Sequence, residues 1–140
     1  MIASDTKNAR KIEILDSAIG VGKVMISAVL AQLPELGQMN RGQTAKLVGI
    51  VPINRDSGKS NGKRFIGGGR ACVRRILYMA TLSAIRHNPT IKAFYKHLKA
   101  KGKESKVAIV ACMRKLITIL NLLIKNDELW KNAESVPVKN

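Results

Sequence analysis

Apolar residues in this chain recur at helical spacing, in segments cut by glycine and proline. The first run opens at Ile12, Ile14 and Leu15 and stops at Gly20-Val21-Gly22. A second, Val24, Met25, Ala28, Val29, Ala31 and Leu33, keeps a period near 3.6 until Pro34 and Gly37 close it. Asn40 is placed to cap a short helix from Arg41 to Val48, which Gly49 ends. A long helix is predicted from Arg70 to His87. Val73, Ile76, Leu77, Ala80 and Ala84 form its buried stripe, and Arg70, Arg74, Tyr78 and Thr81 lie on another face. Asn88-Pro89 breaks it, because proline disfavours helix at the residue before it and suits the first turn of the next helix. That helix, from Thr90 to Ala100, carries Lys92, Lys96 and Lys99; Lys101 and then Gly102, its stop, follow. Glu104 or Ser105 starts the last helix, which ends near Asn126-Asp127.

No segment demands a strand, so the expected class is all-α. The expected organisation is a flexible N-terminal arm over 1–11, a helical domain over 12–130 and a loose tail over 131–140. Within the domain, 12–33 reads as a helix-hairpin-helix-like element, 50–69 as a long basic, Gly-rich loop, and 70–126 as the remaining helices. In a helix-hairpin-helix the turn glycines bring backbone N–H groups up to a DNA phosphate, and the next helix start adds its dipole. Gly20, Gly22 and Lys23 are the candidates for that contact.

Charge changes the picture most. The 140 residues carry a formal net charge of +16, which recruits polyanions before any specific contact forms. Aromatics are only 4%, so stacking platforms for single strands are not expected. The densest basic stretch is IVPINRDSGKSNGKRFIGGGRACVRR, Ile50 to Arg75. Arg55, Lys59, Lys63 and Arg64 lie in it, opposed only by Asp56, and Arg70, Arg74 and Arg75 open the following helix. Basic side chains at a helix start are locally unfavourable unless an anion sits among them, and a nucleic-acid phosphate is the obvious one. Ser57 stands in the middle of this stretch. A serine can attack a phosphodiester when arginines steady the phosphate, which makes Ser57 the candidate nucleophile and Ser60 the second choice.

Other chemistries are disfavoured. Gly58-Lys59-Ser60 is not a P-loop, because the motif needs glycine where Ile53 stands, and no apolar strand feeds it. The nine acidic residues are scattered, so no metal site and no cofactor is expected in this chain. His87 and His97 read as surface positions without a partner. Cys72 and Cys112 lack metal-ligand spacing and are expected to be buried cytosolic thiols. Val107 to Ile124 is long enough to span a bilayer, but Arg114 and Lys115 near its centre, with Thr118 and Asn121 following, make it a buried soluble helix. Asp5, Lys7, Arg10 and Lys11 interrupt any signal-like run, so no membrane partner is expected.

The stretch LAQLPELGQMNRGQTAKLVGIVPINRDSGKSNGKRFIGGGRACVRRILYMATLSAIRHNP, with KVAIVACMRKLITILN after it, resembles the C-terminal half of the DEDD bacterial insertion-sequence transposases, bridge-RNA-guided serine recombinases. The resemblance covers Glu13 to Trp130. It implies a helical transposase domain and matches Ser57, before Gly58, to the nucleophile that forms a phosphoserine link to DNA. It further implies DNA and a guide RNA as partners, homo-oligomers, and a bacterial cytoplasmic location, at the nucleoid when DNA is bound. The family's N-terminal half is a RuvC-like domain with four acidic residues, the expected seat of Mg2+. This chain has no such half, so a RuvC-like domain is expected in cis or in trans, and a truncated or split gene is the expected origin. The hairpin departs from the family's Pro-Gly-x-Gly, reading Ile19-Gly20-Val21-Gly22. The competing expectations are a non-enzymatic basic module for DNA or structured RNA, and a degenerate fragment that keeps only its fold.

Overall fold

The computed structural model describes residues 2–49 and 69–131. Among them the secondary structure is six helices and no strand: α1 Ile2–Asp16, α2 Lys23–Gln32, α3 Arg41–Gly49, α4 Gly69–His87, α5 Pro89–Ala100 and α6 Ser105–Asn126. The all-α expectation holds. The apolar periodicity placed α2 to α6 within a residue or two of these bounds, because each is bracketed by a local stop signal.

Helix α6 lies at the centre, packed against α1, α3, α4 and α5, while α2 packs on α4. Its apolar side, Ala108, Cys112, Met113, Leu116, Ile117 and Leu120, is wholly inside. This helix is long and apolar enough to cross a membrane by composition. Its exposed positions, however, include Arg114 and Thr118, and its inner ones meet Leu15, Met25, Val29, Leu77 and Ile91 in one aliphatic core. One face of the helix is therefore in the core, while Val107 and Leu122 on its remaining surface are exposed.

Four polar residues fix helix starts and the connections between helices. Asn88 is fully buried; its Oδ1 accepts from the N–H groups of Thr90 and Ile91 at 3.0 and 3.3 Å, capping α5. Its Nδ2 donates to the Ile19 carbonyl at 2.9 Å, tying the α1–α2 turn to the α4–α5 junction. Asn121 accepts from the Gly37 and Met39 N–H groups at 2.6 and 3.1 Å and donates to the Met39 carbonyl at 2.9 Å. It thereby clamps the α2–α3 connection onto α6. Asn40 and Gln43 satisfy each other's backbone N–H groups, both at 2.8 Å, a capping box that starts α3 as its sequence suggests.

Three expectations need revision. The polar residues ahead of Ile12, read as an arm, are helical from Ile2. Arg10 explains part of this: its guanidinium donates to the Asp127 carboxylate at 2.7 Å and carbonyl at 3.1 Å, and to Glu13 at 3.1 Å. Asp127 has left-handed backbone (φ 59°) where it ends α6, so Arg10 holds a strained cap across 117 positions of sequence. Thr81 is buried, not on the polar face, because its hydroxyl donates to the Leu77 carbonyl at 2.7 Å and needs no water. Cys72 is exposed, so only Cys112 is a buried thiol.

Candidate nucleic-acid interface

The start of α4 carries no acidic residue in its first turn. Arg74 is half-buried and Arg75 is exposed; Arg70 belongs to the same helix. Arg74 turns towards α3 and lines a hollow of about 340 Å³ with Glu35, Met39, Gln43, Lys46 and Leu47. On its other side α3 borders a larger cleft of about 600 Å³, shared with α6 and lined by Met39, Asn40, Arg41, Thr44, Arg114, Thr118 and Asn121. Helix α3 is thus bracketed by arginines from three elements: Arg74 on one flank, Arg41 and Arg114 on the other. Lys46 adds an exposed cation in the last turn of α3.

Arg41 and Arg114 were not among the residues expected to bind. Arg41 reads as an ordinary first residue of a helix, and Arg114 as one member of a polar stripe. The available signal was Arg41 at a helix start without a nearby carboxylate, the same argument that singled out Arg70, Arg74 and Arg75. Asn121, from the same stripe, has its side chain committed to Gly37 and Met39.

The α1–α2 turn lies elsewhere. A Cβ placed on Gly20 (φ +104°) would meet the Ala84 backbone at 2.7 Å, and Ile19 is bonded to Asn88. Both partners sit at the C-terminal end of α4. From Arg74 to Ala84 is ten residues of helix, roughly 15 Å at 1.5 Å per residue. Gly22 and Lys23 are exposed at the start of α2, and no side chain caps that start. Gly22 has φ −103° and ψ −172°, ordinary extended backbone, with open space where a Cβ would go. The structure therefore puts Gly20, Gly22 and Lys23 at one end of α4 and Arg74 and Arg75 towards the other.

Arg55, Ser57, Lys59, Ser60, Lys63 and Arg64 lie outside the described residues, as does the tail from 132 onwards. Among the described residues no three His, Cys, Asp or Glu side chains gather. Those residues therefore offer no carboxylate cluster that fits Mg2+. His87 and His97 are both exposed. Burial pushes the Cys112 thiol up to about 12, so it stays protonated and inert inside the core.

Comparison with known proteins gives this surface a context. The profile of the Transposase IS116/IS110/IS902 family matches residues 12–96, more than half of the chain. The chain is 26% identical over 140 residues to the insertion element IS900 uncharacterized 42 kDa protein of Mycobacterium paratuberculosis, covering 95% of this chain and 34% of that one. It is 28% identical over 121 residues to the pilin gene-inverting protein of Moraxella bovis, covering 84% and 38%. It is 24% identical over 132 residues to the insertion element IS116 uncharacterized 44.8 kDa protein of Streptomyces clavuligerus, covering 90% and 32%. The chain thus spans about a third of the length of these curated relatives. No solved structure matches.

Proposed function

This chain belongs to the Transposase IS116/IS110/IS902 family, and from that premise we propose that it is the DNA-binding, C-terminal part of a transposase or recombinase. One observation carries the reading. The family match spans the α1–α2 turn, the basic stretch and the starts of α4 and α5, and the described part of that segment has α3 bracketed by Arg41 and Arg74. Arginine forks suit phosphate oxygens, and several such contacts hold a duplex without reading its sequence. Arg114 closes the α3–α6 cleft from outside the matched segment. At the other end of α4, the α1–α2 turn acts as a helix-hairpin-helix-like element. Gly22 and Lys23 there meet a phosphate at the uncapped start of α2, with Gly20 shaping the turn.

The catalytic serine of this reading is Ser57. Its oxygen forms an ester to the DNA phosphorus while the bond from that phosphorus to one deoxyribose oxygen breaks, and that oxygen leaves with a proton. Arg55, Lys59, Lys63, Arg64, Arg70, Arg74 and Arg75 hold the phosphate and offset its developing charge. The acidic half of the chemistry, with Mg2+, belongs to a RuvC-like domain in cis or in trans, and a guide RNA selects the DNA. The 140 residues by themselves bind DNA and do not exchange strands.

The test is a covalent adduct. The chain is combined with a matching RuvC-like domain and guide RNA, and protein–DNA adducts are resolved under denaturing conditions. Ser57→Ala abolishes the adduct and leaves DNA binding nearly intact, since one hydroxyl contributes little beside many phosphate contacts. Loss of the adduct with Ser60→Ala instead moves the role to Ser60. Adducts from both variants rule out a serine nucleophile and leave a basic binding module.

A further inference from the structure

Helix α5 presents a face that the α3-centred surface does not use. Its inner side is apolar: Ile91 is fully buried, and Phe94 and Tyr95 pack against the core. Its outer side consists of Pro89, Lys92, Ala93, Lys96, His97, Lys99 and Ala100. Every long side chain on that side is a lysine or a histidine. Lys92, Lys96 and Lys99 stand at i, i+4 and i+7, one above the other on a single helical face. The row continues beyond the helix in Lys101 and Lys103, also exposed. Between Gly69 and Asn126 the sequence has one carboxylate side chain, Glu104, against thirteen lysines and arginines. Two ion pairs join Arg10 to Glu13 and to Asp127, at the α1 end of the molecule.

The C-terminal end of the row is distant from the surface around α3, while Phe94, between Lys92 and Lys96, packs under Lys115 of α6 at 4.7 Å. Lys99 donates to the Ser105 hydroxyl at 3.0 Å, which places it at the very start of α6. The α3–α6 cleft takes Arg114 to Asn121 of that helix, roughly 14–24 Å further along at 1.5 Å per residue.

We propose that the lysine row of α5 is a second DNA-phosphate-binding face, distinct from the surface around α3 and the start of α4. It rests on the reading of this chain as a DNA-binding protein and adds a face to it. Three physical arguments select the partner. Lys92 to Lys99 spans about 10 Å of helix, long enough to face several charges of a duplex that carries one phosphate per roughly 3.4 Å of axis on each strand. A protein partner is disfavoured, because lysine is depleted from the centres of protein interfaces and this face has no aromatic or large aliphatic anchor. A lipid surface is disfavoured because the apolar side of α5 is already consumed by the core, leaving nothing to insert.

The experiment compares two triple variants of the whole chain, with binding to an arbitrary duplex measured by anisotropy. One is Lys92→Gln/Lys96→Gln/Lys99→Gln. The other, Lys7→Gln/Lys125→Gln/Lys131→Gln, removes the same charge from exposed positions away from the row. All six sites are exposed, and circular dichroism checks that both variants keep the wild-type helix content. The row variant is expected to weaken binding on the order of 100-fold at about 0.1 M salt, from the loss of three phosphate contacts. The charge-matched variant is expected to lose less than about threefold. Equal losses in the two variants, or an unmoved row variant, overturn the second face while leaving a DNA-binding chain. A row variant that loses an RNA hairpin or anionic vesicles but keeps the duplex overturns the choice of DNA. A wild-type chain with no salt-sensitive duplex binding removes the DNA-binding reading itself, and the second face with it.

Discussion

Gly20 lies against Ala84 so closely that a Cβ on it would stand 2.7 Å from the Ala84 α-carbon. Its φ of +104° is also one that side chains rarely adopt. The glycine is therefore required by helix packing, whatever the turn binds. Gly22, two residues on, has neither constraint. Gly20→Ala is expected to cost at least ~2 kcal/mol of stability, from strain and displacement of α4. Gly22→Ala is expected to cost under about 1 kcal/mol, the loss of a glycine N-cap. Denaturant midpoints measure both. Any fall in duplex affinity of a stably folded Gly22→Ala then reports on phosphate contact at the turn.

Asn88 joins two junctions with one side chain, and its two ends can be separated. Asn88→Ala leaves α5 uncapped and the Ile19 carbonyl without its donor, an expected loss of about 2–3 kcal/mol. Asn88→Asp keeps an acceptor for Thr90 and Ile91 but no donor for Ile19, and should lose about half as much. Urea titrations with an unchanged m-value check this order. Equal losses would mean that the Ile19 bond, not the cap, carries the stabilisation.

The two cysteines should respond oppositely to reagents and to alkali. Cys72 is exposed and is expected to be alkylated in the native state at mild pH, while Cys112 reacts only on unfolding. Burial raises the Cys112 thiol from 9.0 to about 12, so the folded state favours the protonated form. That contribution to stability is fully present below about 9 and is lost as pH rises towards about 12, because the unfolded chain releases the proton first. Cys112→Ala should flatten this alkaline decline in a melting series, and Cys72→Ala should leave it unchanged.

Much of the fold was legible because its punctuation is local. Asn88-Pro89 ends one helix and starts another within two residues, and Asn40 is readable as the cap of α3, to which the structure adds Gln43 as its reciprocal partner. What escaped depends on contacts distant in sequence. Helix α1 begins among polar residues, and Arg10 reaches Asp127 from there. Thr81 is the exception: its contact is local, a hydroxyl turned back onto the Leu77 carbonyl four residues earlier, which a polar residue type does not announce. The basic character of the start of α4 was equally visible in the sequence, as Arg70, Arg74 and Arg75. The distribution of the basic residues in space was not. Helix α2 begins beside the end of α4, so Lys23 and Arg74 fall apart, while Arg41 and Arg114 line one cleft although they are far apart in sequence.

The central claim is that this surface holds DNA through its phosphates from the start of α4. The most direct measurement is the slope of log affinity for duplex DNA against log salt, for the wild-type chain and for Arg70→Gln/Arg74→Gln/Arg75→Gln. The variant should weaken on every sequence tried, and its slope should be shallower by about two to three units, close to one per lost phosphate contact. An unchanged slope in a folded variant would contradict the claim and place the phosphate contacts elsewhere on the molecule.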